Sequence, residues 1–215
     1  MEVIKGQRAP LDVLQGLNFV ATPQLIVSSI DDKLSTDTAM LRSAHQTLGF
    51  SATNVGALPH WLQASPYSDA DHLLDLSTLA LSEQLLAIAL TKMAPVDADY
   101  ATTEYSQAFN WDKVVEELRN LASIANLAWR RGEYYVVVFR SQLNEGCDRA
   151  FLGHLDKISH REAVVSGGLL KYLFGTPNGA RRNLATCEYT IPPYPRSRVT
   201  NGVCIQAFGA AKEMP

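Results

Sequence analysis

The run "LDKISHRE" puts Asp156 four residues before His160, the spacing that makes two side chains neighbours on a helix. So placed, the carboxylate orients the ring and favours its protonated form, and the histidine can act as a general base toward a phenol or carbon acid. The plainer reading is a solvated helix pair. Arg140 closes "EYYVVVFR" with Tyr134, Val136 and Val138 on its own side, because strand side chains alternate. Its forked guanidinium suits a carboxylate or enolate oxygen. An ion-paired or surface arginine at a strand exit is the commoner case. Lys171 interrupts Leu169 and Leu173 on one side of "LLKYLF", while Leu170, Tyr172 and Phe174 make the other side. A lysine among leucines is either an edge charge that blocks sheet association, the favoured reading, or a charge lining a cavity. His160 and Arg140 are therefore the candidate catalytic residues, and Tyr134, Lys171 and Tyr172 the candidate substrate contacts.

Other chemistries find little support. "DADH" at 69–72, followed by Asp75, gathers oxygen and nitrogen ligands but lacks the spacing of a calcium loop or a zinc site. His154 and His160 are six apart and share no helix face. No GxxxxGK[ST] loop is present to cradle phosphates, and no serine or cysteine sits in a nucleophile elbow. Cys147, Cys187 and Cys204 are an odd number without a CxxC pair and read as reduced, structural thiols. No metal and no cofactor are expected. A net charge of −3 lacks the positive field that binding to phosphate backbones requires, so nucleic acid is an unexpected partner. No window approaches the run of about 18 apolar residues that spans a bilayer, and no secretory leader is read at the N-terminus. A soluble, cytoplasmic protein without membrane contact is the expectation. With 215 residues, 47% hydrophobic and 19% charged, the chain can bury a real core.

The elements that must position these residues follow from periodicity. "PQLIVSS" at 23–29 predicts a strand, 35–49 a helix closed by Gly49, and 82–93 a helix with Ser82 as its cap and Pro95 just past its end. Asn110 caps a longer helix through Val114, Leu118, Leu121, Ala125 and Ala128, ended by Gly132. The β-rich run 133–143 predicts a buried strand. Asp148 begins a helix with Phe151, Leu155 and Ile158 on one face, ending at Ser166 and Gly167. "GLLKYLFGT", "PNGA" and "RRNLATCEYT" then read as strand, reversal and strand. The expected organisation is α+β: an N-terminal region over 1–109 packed on the rest, a core over 110–190, and an irregular proline-rich tail over 191–215. Strand, helix, strand, hairpin, strand is the opening of a ferredoxin-like split βαβ unit. Its crossover helix covers one sheet face and leaves the other to the N-terminal helices or to a second subunit.

The runs "LDLSTLALSEQLLAIAL", "DYATTEYSQAFNWDKVVEELR", "EYYVVVFRSQL" and "SGGLLKYLFGTPNGARRNLATC" resemble the uncharacterised fungal protein family 0643, over roughly residues 74–187. The order of elements is in turn similar to the dimeric α+β barrels, which include cofactor-independent monooxygenases of aromatic polyketides, stress-response proteins and haem-handling proteins. The resemblance implies a homodimeric small-molecule enzyme or binding protein of fungal secondary metabolite biosynthesis. An oxygenase or cyclase acting on an aromatic or polyketide intermediate would use the sheet's apolar face, with Arg140 and His160 as polar handles. The alternative is a non-catalytic homodimeric structural or interaction protein that uses the same face as an interface. A roomy pocket favours the first and a flat, filled face the second. After Cys187 the sequence departs from the family's pattern. Pro192, Pro193 and Pro195 forbid a regular helix there, so the last helix of the unit is expected to be missing, and only "VCIQAF" at 203–208 could make a short strand.

Overall fold

The computed structural model describes residues 17–27, 58–130 and 132–190. In chain order its elements are β1 (Leu17–Val27), β2 (Trp61–Leu62), β3 (Leu74–Asp75), α1 (Leu81–Leu90), α2 (Tyr105–Ala108), α3 (Trp111–Ile124), β4 (Glu133–Leu143), α4 (Arg149–Ser166), β5 (Leu169–Phe174) and β6 (Arg182–Thr190). Four strands form an antiparallel sheet in the order β1-β4-β6-β5, and β2 pairs with β3 in a second, minimal sheet. The architecture is α+β. Helix α4 carries the chain from β4 to β5, the chain order that the periodic runs predict, and β6 returns between those two strands. The edge beside β4 is filled by β1, whose Pro23 lacks a backbone donor and is tolerated because β1 lies outermost. The expected strand at 23–29 thus exists but begins at Leu17 and stops at Val27. The predicted helix at 35–49 and the tail at 191–215 lie outside the described residues.

Both faces of the sheet are covered from within the chain. On one, Leu86 and Leu90 of α1 and Val114 and Leu118 of α3 pack against Val136, Val138, Leu170 and Leu184. On the other, Ala163 of α4 packs among Val137, Phe139, Leu169, Tyr172 and Cys187. The face for which a second subunit was one candidate cover is therefore packed by α1 and α3.

Local signals explain where the elements start and stop. Asp148 caps α4 by accepting from Ala150 N and Phe151 N, and Gly167, with φ of +81°, ends it. Helix α3 starts after Asn110 as expected but stops at Ile124, well short of Gly132. Asn126 adopts a left-handed conformation (φ +49°), and Leu127 N donates to Ala122 O at 2.9 Å, a C-terminal lock that asparagine accepts almost as readily as glycine. The side chain of Asn110 does not cap α3. Its Oδ1 accepts from Ala94 N and its Nδ2 donates to Lys92 O, binding the chain just past α1 to the start of α3. Helix α1 begins before Ser82, with Ala80 at the cap position and its N–H donating to Glu83 Oε2.

Two expected faces are corrected. Helix α4 buries Phe151, Leu155 and Ile158 only partly; its fully buried residues are Ser159, His160 and Ala163. In β5 a register shift between Leu169 and Lys171 breaks strict alternation. Leu170 therefore packs against α1 and α3, whereas Tyr172 and Leu169 face α4.

The β5–β6 hairpin is held to the Tyr100 loop by a close approach at Gly175. A Cβ there would lie 1.9 Å from Tyr100 Oη, which donates to Asn183 Oδ1 at 2.8 Å. Gly175→Ala is expected to cost about 1–3 kcal/mol by overpacking, measured by urea denaturation. Much of that loss should return in the Gly175→Ala, Tyr100→Phe double variant.

Candidate functional site

A cavity of about 330 Å³ opens between α1, α3 and the sheet. Its walls are apolar, with Leu86, Leu90, Val114, Leu118, Val136 and Leu170 prominent among them. Trp111 and Tyr134 add ring surface, Ser106 and Tyr134 bring hydroxyls, and Glu188 alone among the lining residues is charged.

Glu188 is there because β6 lies between β4 and β5, opposite Val136 on one side and Lys171 on the other. With strand alternation, Leu184, Thr186 and Glu188 all point to the α1/α3 side. Glu188 is 4% exposed. Its Oε1 accepts from Tyr105 Oη at 2.7 Å and from Thr186 Oγ1 at 2.8 Å, and those two hydroxyls are 2.8 Å apart. Oε2 has no hydrogen-bond partner among the described residues. Burial pushes the Glu188 carboxyl up to about 7, against the two hydroxyls and the charge of Lys171, which favour its ionised form. The same burial pulls Lys171 below its ordinary value, with Glu188 opposing. Tyr105 is pushed far up by burial and then by Glu188, so it stays protonated as a fixed donor. A carboxyl that titrates near neutrality beside an apolar void can accept or give a proton there.

The opposite face holds a second polar cluster. The chain from Gln63 to Leu73 crosses the outer edge of β5, where Ala64 O accepts from Tyr172 N at 2.9 Å, and delivers Tyr67 and His72 against α4. Asp156 accepts from the hydroxyls of both Tyr67 and Tyr172. His72 Nδ1 and His160 Nδ1 share a hydrogen bond of 2.8 Å, with ring centroids 5.0 Å apart. Burial, then the neighbouring His72, lowers His160 to about 4. The expected Asp156–His160 pair is thus corrected: tyrosines hold the carboxylate, and the ring is kept neutral instead of charged. A smaller cavity of about 200 Å³, bounded by Asp156, Tyr172, Arg149 and Phe139, adjoins this cluster.

The five residues singled out in the sequence do not converge. Tyr134 lines the cavity beside Glu188, and Lys171 is buried next to Glu188 instead of guarding the edge strand as an exposed charge. Arg140 lies on the same sheet face but toward the other end of β4. It donates to the carbonyls of Ala101 and Thr103, fastening that turn, and lines a separate cleft. His160 and Tyr172 are on the α4 face.

A family model described as PB2B2.08-like matches residues 63–214. The chain belongs to that family. The UPF0643 protein PB2B2.08 of Schizosaccharomyces pombe is 39% identical over 137 residues, which are 60% of this chain and 62% of its own length. The chain thus spans less than two thirds of that curated relative. No solved structure matches. The family match takes in both polar clusters and runs on past Cys187, so the proline-rich segment falls inside the family's span and not beyond it.

Glu188, Tyr105, Thr186, Tyr67 and His72 escaped the sequence reading as site residues. For Glu188 a signal existed, since it falls in the inward register of "LATCE" in a strand with partners on both sides. His72 of "DADH" turns inward, while Asp69 and Asp71 pair at the surface with Lys157 at 2.7 Å and Arg161 at 3.6 Å. No group of three or more metal-ligating side chains forms among the described residues. No described helix is long and apolar enough to cross a membrane.

Two pH dependences follow. His160 is lowered in the fold, so its contribution is present above the unfolded value of 6.5 and lost as pH falls toward about 4. Wild type is expected to lose stability relative to His160→Leu across that window, read as a narrowing gap in urea midpoints. Glu188 is raised, so the native state holds its proton from pH 4.5 to about 7 and loses stability as pH rises through that range. Glu188→Gln should gain on wild type across it, by on the order of 1–3 kcal/mol at pH 8.

Proposed function

We propose that this protein binds a small, largely apolar molecule in the cavity between α1, α3 and the sheet, and that Glu188 exchanges a proton with it. One observation carries this reading: Glu188, a buried carboxyl raised to about 7 by its burial, is the one charged residue among those that line a cavity of about 330 Å³ with otherwise largely apolar walls. That volume lies at the lower end of small-molecule sites, which combine apolar walls with few polar groups. Proton transfer at a single carboxyl suits an isomerisation or a ring closure, in which a carbon acid or phenol is deprotonated and reprotonated. The ferredoxin-like order of β4, α4, β5 and β6 supports, by analogy only, starting the search among aromatic and polyketide metabolites. Tyr134 would contact the ligand, and Lys171 would tune Glu188 from across the strand pair.

The interaction reading draws support from the incompletely buried Phe151, Leu155 and Ile158 of α4, which would suit a second copy or another partner. It would use that helix face and not the sheet face, which α1 and α3 occupy.

A thermal-shift screen of aromatic and polyketide compounds tests the proposal, since a ligand that binds only the folded chain raises its melting temperature. Hits are expected to lose their shift in Val115→Phe, which fills the cavity from α3. A shift that survives this filling, in a variant with native circular dichroism, would move the ligand elsewhere and sink the reading.

A further inference from the structure

We infer that His72 and His160 form a proton-operated latch for the segment from Gln63 to Leu73, which stays fastened across the edge of β5 while at most one ring is charged and opens when both are. The latch lies on the α4 face, away from the cavity between α1, α3 and the sheet. His72 Nδ1 and His160 Nδ1 are 2.8 Å apart and both residues are buried, so each Nδ1 depends on the other for its hydrogen bond. A bond between two ring nitrogens needs a proton on one and a lone pair on the other. Two neutral rings meet that need, and so do one neutral and one charged ring. Two charged rings do not: donor then faces donor, and burial strengthens the repulsion. Burial, then the neighbouring His72, holds His160 down to about 4, which is where the second proton enters.

The groups around the pair set its direction. Asp156 of α4, and Asp71 at 3.8 Å from His72 Nε2, are carboxylates that favour the first proton. Asp71 is shared with Arg161 and Asp69 with Lys157, both cations of α4. Tyr67 and, from β5, Tyr172 place their hydroxyls on Asp156, and the thiol of Cys187 on β6 borders the small void beside His160. Burial raises Asp156, so falling pH also removes its favourable charge as the second proton arrives. Tyr67 and His72 pack on His160 at ring separations of 5.3 and 5.0 Å, and Ala64 O accepts from Tyr172 N at 2.9 Å. Opening breaks that backbone bond at the outer edge of β5 and uncovers Asp156 and Tyr172, which line the cavity of about 200 Å³.

Amide hydrogen exchange of the full chain is the test: the Tyr172 amide reports the segment, and the amides of β6, between β4 and β5, report the whole fold. Protection, corrected for the intrinsic rate at each pH, is expected to fall at least about tenfold at Tyr172 between pH 6 and pH 4, and much less in β6. In His72→Gln and in His160→Gln the side-chain amide can accept from or donate to the remaining ring in either of its charge states, so Tyr172 should keep its protection at pH 4. Tyr172 protection that stays level in wild type, or that falls only in step with β6, overturns the latch. A fall of the wild-type size in both glutamine variants overturns it too, by placing the pH sensitivity outside the histidine pair. Should a glutamine variant fail to fold, the wild-type comparison of Tyr172 with β6 still decides.

Discussion

Strand β6 has β4 on one side and β5 on the other, α1 and α3 above it and α4 below, so its side chains from Leu184 to Glu188 have little access to water. A polar group on such a strand must find partners within the protein or stay costly. Thr186 and Glu188 answer this constraint by recruiting Tyr105, which α2 carries in from the loop ahead of α3. Tyr105 packs in turn against Phe109 and Trp111, at ring separations of 5.4 and 5.7 Å. The short helix α2, the start of α3 and the centre of the sheet are thereby joined through a single carboxylate.

The edge strand β5 depends on a different device. Its outer side would expose unpaired backbone groups, and the segment carrying Ala64 covers part of it. The same segment contributes on both sides of the sheet. Leu62 and Leu74 pack into the core shared with α1 and α3, while Tyr67 and His72 enter the cluster on α4. Wrapping an edge in this way brings the hydroxyl of Tyr67 and the ring of His72 against α4, where Asp156 and His160 receive them beside the apolar contacts of Ala163.

Much of the architecture was legible because its signals are local. The β-rich run at 133–143, the Asp148 cap and the hairpin around Asn178 each specify their element from neighbouring residues, and all three stand where they were expected. The early end of α3 at Asn126 was lost because the periodicity through Ala125 and Ala128 outweighed a left-handed asparagine. The site was largely illegible, for a physical reason. Asp156 and His160 are four apart in sequence and do share a helix face, yet their partners, Tyr67 and His72, come from about 90 residues earlier and override the local pair. Lys171 read as a solvated edge charge because nothing within "LLKYLF" announces the bulge that turns it inward beside Glu188.

The two faces finally differ in how completely their polar groups are spent. On the α4 side, both oxygens of Asp156 are engaged, the histidines bond each other, and no described side-chain nitrogen or oxygen of the cluster is left buried without a partner. Such closure suits a device that fixes the wrapping segment and specifies one packing. On the other side, Glu188 is equally deep, with Oε1 accepting from two hydroxyls, and it is the one charged residue that lines the cavity between α1, α3 and the sheet. A network that served stability alone would gain by filling that cavity with hydrocarbon. A charged group kept against an open cavity, in a core packed largely by leucine and valine, is the contrast on which the proposed ligand site rests.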